Sequence, residues 1–316
     1  MLRSLTESNT ILPSAVEPYV FEGRRLYIKR DDLIDEDLSG NKFRKLYALI
    51  NTPASHYKRI ISYGGSQSNA MASIAALCKR KGWVFVYITK QLSHTLKTRP
   101  MGNLALALAD GMQLIEVDQE EYRDIINSLY APEYDGRIKR LEGDLVLAQG
   151  GADIGAKEGI AVLAKEILSF KAEQKIKKLC VVTPSGTGTT ALYLAKYLPE
   201  DMVLSTPLIG DRAYLLKQMS ALEAIPPNLK IIECEGRYHF GKPYLEFLAP
   251  YNTLLDQGIE MDLLYAPKTL LMLKKHLDEI EDEILYVHSG GVKGNRSMLE
   301  RYERKKSDAQ KRDKIL

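Results

Sequence analysis

Eight short runs rich in β-branched and aromatic residues recur along the chain, and most of them run into glycine before a helical pattern begins. They read RIISYGG, WVFVYITK, MQLIEVD and DLVLAQGG, then KLCVVTPSGTG, MVLSTPLIG, LKIIECEG and EILYVHSGG. Helical patterns such as SNAMASIAALCKRKG and AKEGIAVLAKEILSFKAEQ fall between them. Strand, glycine, helix, repeated, requires right-handed crossovers and parallel sheets covered on both faces. The expected class is therefore α/β, with open, twisted, mostly parallel sheets flanked by helices. At 316 residues the chain exceeds the usual size of one core, so two domains are expected. The first four runs make a smaller sheet and the last four a larger one, with the Gly- and Ala-rich QGGADIGAKEG as the crossing between them. The boundaries expected are 1–50 plus 156–316 for the larger domain and 51–155 for the smaller.

Composition narrows the function classes. Hydrophobic residues make up 45% and charged residues 27%, ordinary for a globular chain, and no apolar run is long enough to cross a bilayer. The opening MLRSLTESNTILPS lacks a long apolar segment and a small-residue cleavage site, so a cytoplasmic protein with no membrane partner is expected. A net charge of +3 is too slight to argue for a nucleic-acid partner. The basic terminal stretch RYERKKSDAQKRDKIL mixes both signs, as a solvated helix does. Cys78, Cys180 and Cys234 are far apart, with no CxxC and no paired histidines, and read as buried small residues. The acidic run Asp31, Asp32, Asp35, Glu36 and Asp37 fits no EF-hand and reads as a solvated turn.

Ligands of parallel α/β folds collect at the carboxyl ends of strands, and three of the glycine turns carry polar groups there. Ser185-Gly186-Thr187-Gly188-Thr189-Thr190 joins a strand to a helix, gathering amides, bare glycines and hydroxyls into an anion cradle suited to a phosphate. The Gly-Lys-Ser/Thr of a P-loop is absent. Gly186, Gly188 and Ala191 do fit a dinucleotide fingerprint, but the next strand offers only Asp211, further on than a ribose-binding acid belongs. On this turn alone a nicotinamide-dependent dehydrogenase stays open. Ser66-Gln67-Ser68-Asn69 opens a helix after Gly64-Gly65, which suits a carboxylate or, equally, a plain helix cap. Ser289-Gly290-Gly291 leave room for a flat ring against backbone, and His288 beside them reads as structural. No Gly-x-Ser-x-Gly elbow supports a serine hydrolase.

A fourth feature is a cation in an unexpected place. DLSGNKFRKLYALI opens an amphipathic helix with Asn41 as its natural cap, yet sets Lys42 in the first turn, where the helix dipole favours acids by roughly some tenths of a kcal/mol. The placement is informative if Lys42 works uncharged. A phosphate cradle, a carboxylate cradle, a flat-ring site and such a lysine together match pyridoxal phosphate. The phosphate is its anchor, the lysine forms an imine with it, and an amino acid later displaces that lysine.

At YIKRDDLIDEDLSGNKFRKL the chain resembles the fold-type II pyridoxal phosphate enzymes, of tryptophan synthase β-like fold, and among them the group that includes 1-aminocyclopropane-1-carboxylate deaminase and D-cysteine desulfhydrase. The resemblance runs nearly end to end, through Lys29 to Leu46, Gly64 to Asn69, Ser185 to Thr190, Tyr265 to Lys268 and His288 to Gly291. It implies that Lys42 holds the cofactor and that Asn69 lies beside the ring's phenolic oxygen. It implies that Ser185, Gly186, Thr187, Gly188, Thr189 and Thr190 bind the phosphate and that Ser289 faces the ring nitrogen. Gln67, Ser68 and Asn69 would fix the substrate carboxylate. Lys42, Ser68, Tyr265 and Tyr244 would form the reacting group, with Tyr238 the alternative to Tyr244 because the spacing around Pro243 is disturbed.

Ala266 departs from the deaminase pattern, which has a glutamate there to pair with the ring nitrogen. Gln149 and Pro267 stand where the pattern has glutamate and glycine. A weaker electron sink favours α,β-elimination from a small amino acid, with D-cysteine the first candidate, over ring opening of 1-aminocyclopropane-1-carboxylate to 2-oxobutyrate. A relative that binds pyridoxal phosphate without turnover is the reading from another class. The resemblance also implies a homodimer.

Overall fold

The computed structural model describes residues 12–38, 40–130, 138–151, 155–233 and 238–313, with side chains to Ser307. Cys234 lies outside the described residues. The strands are β1 (Val16–Phe21), β2 (Arg24–Lys29), β3 (Arg59–Tyr63), β4 (Val84–Lys90), β5 (Gln113–Val117), β6 (Asp144–Leu147), β7 (Leu179–Ser185), β8 (Met202–Pro207), β9 (Leu229–Ile231) and β10 (Glu283–Val287). The helices are α1 (Asn41–Lys45), α2 (Tyr47–Asn51), α3 (Asn69–Lys81), α4 (His94–Thr98), α5 (Gly102–Ala109), α6 (Gln119–Ser128), α7 (Ala156–Glu173), α8 (Thr189–Tyr197), α9 (Arg212–Ser220), α10 (Leu248–Leu255), α11 (Ala266–Lys275) and α12 (Asn295–Asp313).

The strands form a six-stranded sheet, ordered β1-β2-β10-β7-β8-β9, and a four-stranded sheet, ordered β5-β4-β3-β6. Every pair is parallel except β1 with β2. The mostly parallel α/β expectation holds, and the eight runs account for β3 to β10. The hairpin β1–β2 is the addition. Its residues, VEPYVF and RRLYIK, are too charged to read as a central strand, and β1 is an edge strand with mostly half-buried side chains.

Burial follows from two-sided coverage. All seven residues of β7 are buried; Leu179 and Val181 face α7, α8 and α9, while Cys180 and Val182 face α10, α11 and α12, as a period of two dictates. In the smaller sheet Ile60, Phe85 and Tyr87 pack on α3 and α5, and Ile61, Val86 and Ile88 pack on Ile125 of α6. The carboxyl ends of β2, β10, β7 and β8 all point to one edge of the larger sheet, where the loops after β7 and β10 meet α1.

The acidic run is not a solvated turn. Asp31 is fully buried and takes a two-pronged bond from Arg44, Nε to Oδ2 at 2.9 Å and Nη2 to Oδ1 at 2.8 Å. Arg44 also grips Glu166 of α7 at 2.8 Å through each of two nitrogens, and Lys29 pairs with that carboxylate at 2.6 Å. Arg30 binds Asp32, Arg80 binds Asp35 and Asp37, and Lys293 binds Asp37. The residues look like loop composition because, Arg30 beside Asp32 apart, the cations that neutralise them lie 13 to 256 residues away. Close packing completes the anchor: a Cβ on Gly159 of α7 would fall 2.0 Å from the Arg44 carbonyl oxygen, so α1 lies directly on α7.

Candidate active site

Lys42 sits where α1 starts, and the local chain explains the position. The N-cap is Gly40, with φ 54° and ψ −123°, and a Cβ there would fall 2.2 Å from the carbonyl carbon and oxygen of Ser289. The capping role expected of Asn41 is corrected accordingly: Asn41 is the first helical residue, and its N–H donates to the Ser289 carbonyl at 3.2 Å. This tie between α1 and the end of β10 presents Lys42 to a cavity of about 390 Å³. Burial pushes the amine down to about 8, against the pull of the Asp262 carboxylate. A neutral, nucleophilic lysine is thus accessible near neutral pH.

The same cavity is lined by Ser185, Gly186, Thr187, Gly188, Thr189 and Thr190. The first-turn amides of α8 have no helical partners, Thr187 Oγ1 and Thr189 Oγ1 lie 3.0 Å apart, and the buried Thr190 Oγ1 has no hydrogen-bond partner among the described residues. Ser185 contributes less, because its hydroxyl bonds Ser205 at 2.6 Å. Lys45 closes the cradle. Its Nζ donates to Thr187 Oγ1 at 3.3 Å and to the Gly150 carbonyl at 3.2 Å, and burial, then the charge of Lys42, holds its pKa well below the ordinary lysine value. An orphaned hydroxyl and a buried lysine amine lining one cavity are what a phosphate would satisfy, so the residues present fit that group.

The loop before α3 supplies the third part. Ser68 caps α3, accepting from Met71 N–H at 3.4 Å, and its hydroxyl, hydrogen-bonded to Tyr87, lies on the cavity wall. Gln67 also lines the cavity, but its amide is engaged: Nε2 donates to the Met101 carbonyl at 3.1 Å and Oε1 accepts from Asn103 N–H at 3.1 Å. An incoming carboxylate would therefore meet Ser66, Ser68 and loop amides before the Gln67 side chain. Asn69 lies behind the wall, its Oδ1 accepting from Asn103 Nδ2 at 2.6 Å. Its Nδ2 packs so closely on Gly291 (φ 87°) that a Cβ there would fall 2.3 Å away.

Ser289 is buried beside these groups, and its Oγ donates to Asp262 Oδ2 at 3.2 Å. The other Asp262 oxygen accepts from Leu264 and Tyr265 N–H at 3.0 and 2.6 Å. His288 is structural as expected: its Nδ1 accepts from Gly290 N–H at 3.0 Å, so Nε2 donates to the Glu260 carbonyl at 3.0 Å. Tyr265 lines the cavity, its phenol held protonated by burial and by Asp262.

The expected role of Tyr244 is corrected. Its hydroxyl accepts from His239 N–H at 3.0 Å, its ring packs on Tyr238 and Phe247, and Lys305 lies 5.0 Å from the ring centroid. Neither Tyr244 nor Tyr238 lines the cavity; Phe240 does, packed edge-on against Tyr265 at 5.3 Å. The chain turns at Gly241 (φ 71°), so Phe240 and Gly241 line the cavity and Tyr244 lies beyond it. Sequence reasoning also missed Lys45, Asp262 and Asn103. Lys45 was legible as the residue three beyond Lys42 on the same helical face; Asp262 and Asn103 act through contacts that no local pattern announces. Asp211, the acid weighed for a dinucleotide, instead caps α9 through Tyr214 N–H at 2.8 Å.

Residues 6–214 match the family described as pyridoxal-phosphate dependent enzyme. A Thermotoga maritima protein provisionally named a 1-aminocyclopropane-1-carboxylate deaminase is 28% identical over 291 residues, covering 86% of this chain and 90% of that one. The D-cysteine desulfhydrase of Serratia proteamaculans is 23% identical over 300 residues, covering 85% and 87%. Among solved structures, a homologue of 1-aminocyclopropane-1-carboxylate deaminase superposes with a TM-score of 0.68 at 20% identity, covering 92% of this chain and 94% of that one; that likeness concerns the fold.

Proposed function

The chain belongs to the pyridoxal-phosphate-dependent enzymes, and from that premise we propose that it catalyses α,β-elimination from a small amino acid, with D-cysteine as first candidate, giving pyruvate, ammonia and sulfide. The observation that carries this is one cavity holding both the buried Lys42 amine and the Lys45–Thr187–Thr190 anion cradle. When bound, pyridoxal phosphate supplies the electron sink that lets an α-carbon release its proton.

This chain's residues do the rest. Lys45, the threonine hydroxyls and the α8 amides would hold the phosphate, and the Lys42 amine would hold the aldehyde end. Ser68 and the loop amides bind the substrate carboxylate. Freed Lys42 Nζ takes the α-proton, the Cβ–S electron pair leaves with sulfur, and the protonated Tyr265 phenol is the donor on the cavity wall suited to the departing group. One water is consumed as pyruvate and ammonia form.

Asp262 favours keeping the ring-opening reaction as a second reading. Ala266 removes the expected glutamate, but Asp262 takes the Ser289 hydroxyl's proton bond, so the Ser289 oxygen would be left as an acceptor for the cofactor's ring nitrogen. A screen of D- and L-cysteine, β-chloroalanine, D-serine and 1-aminocyclopropane-1-carboxylate separates the readings. Sulfide and pyruvate from D-cysteine, faster than 2-oxobutyrate from the cyclopropane, is the expected result; the reverse order installs the second reading, and a cofactor-loaded protein inert on all five would be a binding-only relative.

The proposal includes the division into 1–50 plus 156–316 and 51–155, a cytoplasmic setting and a homodimer. A solution mass near the 35.6 kDa of one chain would remove the dimer. No helix among the described residues is long and apolar enough to cross a membrane.

A further inference from the structure

We propose that Arg301 makes this site selective for amino acids that carry a second, distal oxyanion, a phosphate or carboxylate attached at the β-carbon; the proposal rests on the amino-acid elimination reading above and deepens it. Gly294, Ser297, Met298 and Arg301 all line the cavity. Their spacing of three, four and seven residues is one face of α12 and its lead-in, so Arg301 stands on the cavity side of the helix, at the solvent-exposed mouth.

Its neighbours on α12 bond oxygen atoms, whereas the Arg301 guanidinium, among the described residues, bonds a sulfur. Arg304 pairs with Glu300 at 3.9 Å, and Lys305 donates to the Pro243 carbonyl at 2.6 Å. The Arg301 guanidinium touches the Met298 sulfur at 3.4 Å and lies over Gly241, where a Cβ would be 3.9 Å from Nη1. Among the described residues no carboxylate comes within ion-pair distance of it.

The charges around the cavity sharpen the point. Among the described residues that line it none is acidic, and three are basic, Lys42, Lys45 and Arg301. Lys42 is taken by the cofactor's aldehyde, Lys45 by its phosphate, and the α-carboxylate by the start of α3. Arg301 remains, on the wall shared with Phe240 and Tyr265. A thiol makes no use of a guanidinium fork, whereas a phosphate or carboxylate accepts two of its N–H groups. With O-phosphoserine the balance is complete: the α-proton goes to Lys42, the Cβ–O electron pair leaves with inorganic phosphate, and one water is consumed in forming pyruvate and ammonia.

The test compares the holoenzyme with Arg301→Ala, Arg301→Lys and Arg296→Ala, the last removing the same charge from an exposed, non-lining position of α12. The first readout is the ratio of kcat/KM on O-phosphoserine to that on β-chloroalanine, both enantiomers of each. Arg301→Ala should lower that ratio about tenfold or more, the effect of one charge-assisted contact, Arg301→Lys should recover part of it, and Arg296→Ala should leave it in place. The second readout, calorimetric titration with aspartate and its neutral isostere asparagine, needs no turnover: the wild type should prefer aspartate and Arg301→Ala should lose the preference. An equal loss on both substrates would assign Arg301 to the α-carboxylate and overturn the proposal, as would an unchanged ratio or a wild type indifferent to aspartate over asparagine. Failure of the elimination reading would look different, as no pyruvate from either substrate, and the calorimetric pair would still decide for or against Arg301.

Discussion

Replacing Lys42 with alanine should lower turnover on any accepted substrate by at least about a thousandfold, because one side chain supplies both the covalent hold on the cofactor and the base at the α-carbon. Lys42→Arg should do no better, since a guanidinium neither condenses with an aldehyde nor gives up its proton near pH 8. The sign of the pH dependence follows from the same burial. The folded amine titrates at about 8, below the ordinary lysine value, so its neutral fraction grows about tenfold per pH unit up to that point and levels off above it. The rate at which the cofactor-free protein condenses with added pyridoxal phosphate should trace that curve. A condensation rate that is flat between pH 6 and about 9, or a Lys42→Ala protein retaining more than about a tenth of the wild-type rate, would exclude Lys42 as the reacting amine.

The second large effect is on stability. Arg44→Met should destabilise the protein by about 3–5 kcal/mol, because it leaves the buried carboxylates of Asp31 and Glu166 with Lys29 as their one cation among the described residues, beside the neutral donors of Ser14. The damage should reach the site, since Arg44 is two residues from Lys42 on α1 and ties that helix to α7. Urea unfolding at neutral pH checks it, with Glu166→Gln as a milder companion that keeps one hydrogen-bonding oxygen. A loss below about 1 kcal/mol for Arg44→Met would mean that water reaches the network and that α1 is held by packing alone.

The acidic run shows where sequence reading succeeds and fails. The strands β3 to β10 were legible because their apolar runs are bounded by glycine, and the anion cradle because Gly186 to Thr190 concentrate it in a few residues. Lys42 stood out through a local misfit with the helix dipole. Asp31 and Asp35 were misread because burial of a charge depends on partners at Arg44, Glu166 and Arg80, which only the fold brings near. Tyr244 failed for a similar reason: a motif match carries residue identity but not the path of a loop, and the Gly241 turn sends that ring onto Tyr238 instead of into the cavity. Asn103, which bridges Gln67 and Asn69, and Asp262, which holds Ser289, lie 34 and 27 residues from the side chains they bind. Spacings of that size have no period to detect.

The central claim is that Lys42, and not its equally buried neighbour Lys45, holds pyridoxal phosphate. The protein reconstituted with the cofactor should be yellow, with a band at about 410–430 nm. Borohydride should abolish that band and leave the pyridoxyl mass on the peptide containing Lys42. Absence of the band, or the added mass on Lys45 or on any other lysine, would contradict the assignment.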